Sequence, residues 1–141
     1  MRYLLLLLST VLLSCHSQRV PEVAEILHHQ WEAVKISGTT KLPSFTVQPN
    51  MQVQGSDGCN QFKAQAQLDD RLAFQQIAGT KKVCAHGADK VFWKAIDTHD
   101  RWRIKKGNLQ LLQGRKVLMT FESKPKPEKA AEIEGELEES E

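Results

Sequence analysis

Two consecutive hairpin signals constrain the fold of this 141-residue chain more than any other feature. Trp102 and Ile104 alternate with Arg101, Arg103 and Lys105, and the run ends at the turn Lys105-Lys106-Gly107-Asn108. Leu109 and Leu111 follow, then a second turn at Gln113-Gly114-Arg115, then Val117, Met119 and Phe121. Alternation with a period of two places the apolar side chains on one sheet face and the polar ones on the other. Glycine in each turn admits the positive φ that tight hairpins need. A hairpin alone is marginal in water, so the remaining chain must cover that apolar face.

The preceding segment supplies more strands. Trp31 to Ile36 reads as a first strand, Ser44 to Gln48 as a second and Asn50 to Gln54 as a third. Gly55-Ser56-Asp57-Gly58 reads as a tight turn in which Asp-Gly takes up positive φ. Strand alternation resumes from Gln61-Phe62 through Ala64, Ala66 and Leu68. Asp69-Asp70-Arg71 turns the chain into a strand opening at Leu72-Ala73-Phe74, with an extended piece from Ile77 to Cys84. One segment has helical period: Ala88, Val91, Phe92, Ala95 and Ile96 form an apolar stripe, and Asp89 near its start complements the helix dipole. The pattern predicts a mainly β (α+β) class, short hairpin-linked strands with one helix.

Both ends read as non-globular. Arg2 precedes an almost unbroken apolar run from Tyr3 to Leu13, too short to span a bilayer as a helix and suited to a signal peptide. The run closes on Leu12-Leu13-Ser14-Cys15, which resembles a bacterial lipobox and implies lipidation of Cys15. From Lys124 the chain turns to Lys-Pro-Lys-Pro and then to a glutamate-rich run, a composition expected to remain solvated. The expected organisation is a signal peptide over 1–14, a lipidated N-terminus and tether over 15–30, a folded domain over 31–122 and a disordered acidic tail over 123–141. The tether holds a weakly helical stretch from Glu22 to His29.

With Cys15 lipidated, Cys59 and Cys84 remain as an even pair in an oxidising compartment. A disulfide is the expected reading, and a metal pair or a reactive thiol are the alternatives. The formal net charge of +2 conceals an asymmetry. Residues 15–127 carry seventeen Lys or Arg against ten Asp or Glu, whereas residues 128–141 carry seven Glu against one Lys. A basic body with an acidic tail can meet an anionic surface or itself.

From Trp31 to Glu122 the order of elements resembles the META domain family, which includes the heat-inducible HslJ proteins. The resemblance rests on Trp31 in an opening strand, Leu42-Pro43-Ser44-Phe45, and Gly58-Cys59-Asn60 followed by Phe62. It continues through Leu72-Ala73-Phe74, Ile77, Thr80, Cys84, the helix around Phe92, Leu109-Leu111 and the strand to Phe121. Lys81-Lys82-Val83 departs from the methionine-rich stretch usual there, Ala64 and Ala66 from a glycine and tyrosine, and Asp89 from a glutamate. The resemblance implies a curved sheet or open barrel with one helix, and no catalytic activity to carry over.

Several candidate sites compete with plainer readings. Cys84 and His86 resemble a fragment of a zinc site, but a structural site wants four ligands and no second pair lies nearby in sequence. Cys59, His86 and Asp89 can be arranged as a thiol nucleophile with its base, yet no oxyanion-hole motif accompanies them. His28-His29 reads as polar linker, Asn60 as a turn residue satisfying backbone groups, and Trp31, Trp93 and Trp102 as packing residues. Lys81-Lys82 and the alternating Arg101, Arg103 and Lys105 are expected on exposed surface, the latter three as a possible binding face for an anionic partner. The acidic tail is expected to fold over that face and screen it.

The expected function is a non-catalytic envelope lipoprotein that binds or helps assemble a protein partner, with a link to envelope stress or resistance. It would need no cofactor or metal and no nucleic acid, and would meet the membrane through lipid on Cys15. His16 after Cys15, by resemblance to lipoprotein sorting, favours the outer membrane. The alternatives are a small-molecule or metal-binding periplasmic module and a thiol-dependent enzyme.

Overall fold

The computed structural model describes residues 20–125. In chain order the elements are α1 (Val20–His28), β1 (His29–Ala33), β2 (Ser44–Val47), β3 (Gln52–Ser56), β4 (Gln61–Leu68) and β5 (Leu72–Gly79). They continue with α2 (Ala88–Thr98), β6 (Arg101–Lys105), β7 (Asn108–Gln113) and β8 (Lys116–Pro125). All eight strands form one antiparallel sheet in the order β5-β4-β3-β2-β1-β8-β7-β6, curled into a half-barrel. Two meanders, β1 to β5 and β6 to β8, are joined where β1 pairs with β8, as in Trp31 opposite Ser123 and Ala33 opposite Phe121. Helix α2 carries the chain from one outer strand to the other.

Alternation explains which side chains enter the curl. Phe62, Ala64 and Ala66 of β4 point inward and are buried, as are Leu109 and Leu111 of β7 and Met119 and Phe121 of β8. Trp31, Phe45, Phe92 and Phe121 are almost wholly withdrawn from water. Phe45 meets Phe74 and Phe121 edge-on, each pair of rings 5.3 Å apart. Each such ring removes about 150–250 Å² from water, so a handful of aromatic residues dominates this core.

The expected β6–β7 and β7–β8 hairpins are present, and so is the second helix. Other boundaries move. The first strand is His29–Ala33 rather than Trp31–Ile36, because Trp31 and Ala33 face the core while Val34 and Lys35 lie exposed past its end. The third strand is Gln52–Ser56 rather than Asn50–Gln54. Met51 has φ 63, and the Asn50 side chain accepts from the Gln52 N–H at 3.1 Å, so both residues belong to the turn. Gly55 and Ser56 are strand, not turn. A Cβ on Gly55 would come within 2.8 Å of the Phe45 Cβ and 2.9 Å of the Phe62 Cζ. The fifth strand stops at Gly79, so the extended piece to Cys84 is irregular loop instead.

Two larger corrections concern the ends. The expected weak helix at Glu22–His29 is α1, and it is part of the core rather than a tether. Ile26 is fully buried, and Trp31 Nε1 donates to its carbonyl at 3.1 Å. At the other end Ser123, Lys124 and Pro125 do not start a disordered tail but pair with Trp31, Gln30 and His29. The signal segment, Cys15 and its lipobox, and the acidic run from 128 lie outside the described residues, as does the expected fold-back of that run.

Candidate functional site

The loops at one end of the sheet converge on Asp57, a buried carboxylate that accepts every hydrogen bond it makes here. Its Oδ1 takes the N–H groups of Cys59 at 3.0 Å and Asn60 at 2.7 Å. Its Oδ2 takes Nε1–H of Trp93, on α2, at 3.0 Å. A short acidic side chain bonding two residues ahead is an Asx turn, and it replaces the expected Asp-Gly hairpin. Of the Asp57-Gly58 pair, only Gly58 takes positive φ, at 92°. A Cβ there would approach the Ala88 Cβ and the Lys41 carbonyl to 2.9 Å, so glycine is required both by φ and by space.

Asn60 then ties this turn to the loop after β5. Its Oδ1 accepts from the Lys82 N–H at 2.7 Å and the Thr80 hydroxyl at 3.0 Å, while Nδ2 donates to the Cys84 Sγ at 3.3 Å. Cys59 and Cys84 are joined as a disulfide with their Cα atoms 5.8 Å apart, 25 residues apart in sequence. Neither sulfur is a thiolate in this state. The Gly58-Cys59-Asn60 element and the Thr80–Cys84 loop thus form one stapled unit, with Trp93 closing it from the helix side.

A cleft of about 750 Å³ opens beside the staple. Thr39, Thr40 and Lys41 form one wall, and Lys82, Val83 and His86 another. The lining includes three basic side chains and no acidic one. Among the described residues, no group of three or more His, Cys, Asp or Glu is placed to hold a metal. His28 and His29 fall on different elements, the end of α1 and the start of β1, where the His29 ring meets Trp31 edge-on at 5.8 Å.

Arg101, Arg103 and Lys105 lie on β6, which ends the sheet. Arg101 and Lys105 are exposed, whereas Arg103 is half-buried. Trp102, between the arginines, is buried, and its Nε1 donates to the Asp69 carbonyl at 2.9 Å. The guanidiniums are partly engaged: Arg101 donates to the Gly114 carbonyl, and Arg103 Nε donates to the Gln110 Oε1 at 2.9 Å. Lys81 and Lys82 sit on the stapled loop, both exposed.

Neither the hub at Asp57 nor the buried joint at His99 is legible in the sequence. His99 is 1% exposed at the end of α2. Its Nε2 accepts the Leu72 N–H at 3.0 Å, and Nδ1 lies 3.0 Å from the Ala95 carbonyl. Burial holds its pKa below the ordinary 6.5 against the pull of the Ala95 carbonyl; Arg71 lowers it further and Asp100 opposes. A polar residue directly after an amphipathic helix is the one signal that could have marked it.

The META domain model matches residues 24–125, the same span in which the curled sheet, α2 and the Cys59–Cys84 staple are found. This chain belongs to the META domain family. The match starts inside α1 and ends with β8, consistent with both being part of the META domain here. A protein structure from Burkholderia xenovorans, determined by NMR, is similar in fold with a TM-score of 0.57 and 19% identity. That similarity covers 75% of this chain and 89% of the other. A second NMR structure gives a TM-score of 0.54 at 19% identity, covering 70% of this chain and 92% of the other. Likeness at that identity speaks for the fold alone. No curated protein matches the sequence.

Proposed function

We propose that this META-domain protein is a non-catalytic binding or assembly module of the cell envelope, anchored by lipid on Cys15 and linked to envelope stress or resistance. The observation that carries this reading is the Cys59–Cys84 disulfide within the loop cluster. Structural disulfides belong to oxidising compartments, and the apolar run ending in Leu-Ser-Cys supplies a route to one. His16 after Cys15 directs the proposal to the outer membrane, facing the periplasm.

The partner surface proposed is the outer strand β6 with Arg101, Arg103 and Lys105, which suits an acidic protein face. Expression of the full chain in a Gram-negative host tests the anchor. The N-terminal peptide should carry acyl groups on Cys15, and Cys15→Ser should release the protein from membranes. An unmodified Cys15 in a membrane-free protein would overturn the assignment. Crosslinking in the same cells should then capture one dominant envelope protein, and R101E/R103E should lose it.

A second reading has its own observation, the cleft of about 750 Å³ beside the staple. Pockets of roughly 300–1,000 Å³ are the usual size for small ligands. In that reading the protein is a small-molecule-binding periplasmic module. A ligand-dependent rise in melting temperature, abolished by bulky substitution at Thr40, would favour it.

A further inference from the structure

Three of the large apolar side chains left in water gather at one place. Val34 just past β1, Val91 on α2 and Val117 on β8 are 50%, 46% and 37% exposed, and all three line one groove of about 510 Å³. Ile36 and Leu118 continue its apolar wall. Lys35 is in the lining and no acidic residue is. Exposed Lys90 adjoins Val91, and exposed Lys94 follows it one helical turn on. Val91 belongs to the stripe whose other members, Ala88, Phe92, Ala95 and Ile96, are all buried. The groove therefore asks for an occupant that is apolar at its centre and anionic around it.

The chain carries such a segment. Residues 128–141 hold seven glutamates and two large aliphatic residues, Ile133 and Leu137, four apart. We propose that this acidic tail is the occupant, with Ile133 and Leu137 against Val34, Val91 and Val117 and the glutamates facing Lys35, Lys90 and Lys94. The reach is sufficient. Thr120, in the groove lining, lies five residues before Pro125 at the end of β8, about 17 Å along a strand. Residues 126–132, which lead to Ile133, extend up to about 23 Å.

The β6 face expected from the sequence meets the charge of the tail but not its aliphatic side chains. There Trp102 is buried and both arginines already donate to neighbouring oxygens. The groove meets both requirements. A tail held there covers an apolar surface that would otherwise be open to a second copy or to another protein, and leaves the β6 face accessible. The proposal does not depend on the lipid anchor.

Zero-length carbodiimide coupling of the full mature chain, at low concentration and followed by peptide mass spectrometry, tests it. Expected are intramolecular links from Lys35, Lys90 or Lys94 to glutamates between Glu132 and Glu139. In I133S/L137S, which keeps every charge, their yield should fall about tenfold, because the apolar half of the attachment is gone. Links that survive in that variant, or that map instead to Lys105 and Lys106, overturn the proposal in favour of attraction by charge alone. Links only between molecules overturn it in favour of a second copy as occupant, and absence of tail-to-groove links overturns it outright. A chain whose Cys15 proves unacylated in cells but which still gives the expected links would refute the anchor and leave this proposal standing.

Discussion

The backbone N–H of Leu72 donates to Nε2 of His99 at 3.0 Å, and this bond decides which ring nitrogen carries the proton. Nε2 must be bare to accept, so Nδ1 bears the hydrogen and donates to the Ala95 carbonyl. Leu72 opens β5, one outer strand of the half-barrel, while His99 precedes β6, the other. The ring thus links two edges that share no ladder. Trp102 Nε1 to the Asp69 carbonyl and Arg71 to the Asp97 carbonyl, both at the same seam, add two further links.

A pH dependence follows. Protonating Nε2 breaks the bond to Leu72 and charges a buried ring beside Arg71. The folded-state pKa of His99 accordingly lies below 6.5, and the unfolded chain binds the proton more readily. Its contribution to stability is complete above about pH 6.5 and is lost as the pH falls below that value towards the folded pKa. Thermal unfolding between pH 7.5 and 5 should show a falling melting temperature. His99→Gln, which keeps an acceptor for Leu72, should flatten that slope. A slope unchanged by the substitution would place the titrating group elsewhere.

The bond from Trp93 Nε1 to Asp57 makes a second, separable prediction. Asp57→Ala orphans three donors, on Cys59, Asn60 and Trp93, in a largely buried site. Each unsatisfied donor costs about 1–3 kcal/mol, and partial access to water places the sum near 3 kcal/mol. Trp93→Phe removes one of these bonds and part of the ring that packs on Phe62 at 5.0 Å, so about 1–2 kcal/mol is expected. Urea titrations of the two variants and the double variant would check both. Strictly additive effects would show that the two residues are not coupled.

Removing the staple is the third. Closing a loop between residues 25 apart withdraws about 3.5 kcal/mol of disorder from the unfolded chain. For a domain of about this size that corresponds to roughly 15–25 °C in melting temperature. C59A/C84A should lower the melting temperature of the purified protein by that order, and a reductant should do the same to the wild type. A reductant that shifts the double variant equally would show the effect to be unrelated to the disulfide.

Local patterns account for what could be read from the sequence. The β6–β8 hairpins and α2 carry their own periods and turn residues, so each was visible within a window of a dozen residues. The pairing of β1 with β8 leaves no such trace, because Trp31 and Ser123 become neighbours only through the closure of the sheet. Asp57 followed by glycine looks like a hairpin turn. Its role depends on Trp93, 36 residues away, and no local rule connects them. The cleft and the groove are likewise built from loops and strand ends that meet only after folding. The cysteines were the exception, since their pairing could be argued from number and compartment before any geometry was known.

Helix α1 is only nine residues long, too short for its sequence alone to separate a packed helix from a weakly helical tether. Its place in the fold rests largely on Ile26, which is fully buried, with Val23 and Leu27 packed against the core around it. Trp31 depends on the helix as well, since the Ile26 carbonyl accepts the proton of its indole nitrogen. Ile26→Ala should therefore cost what a core truncation costs, about 2–5 kcal/mol, rather than the few tenths expected for a linker position. A chain beginning at His29 should lose more, because the indole of Trp31 would be both uncovered and unpaired. Equilibrium unfolding of the mature chain, the Ile26→Ala variant and the shortened chain decides between the two roles. If Ile26→Ala unfolds within about 0.5 kcal/mol of the wild type, α1 is a tether after all. A large loss would make the first nine described residues a structural requirement of the META domain.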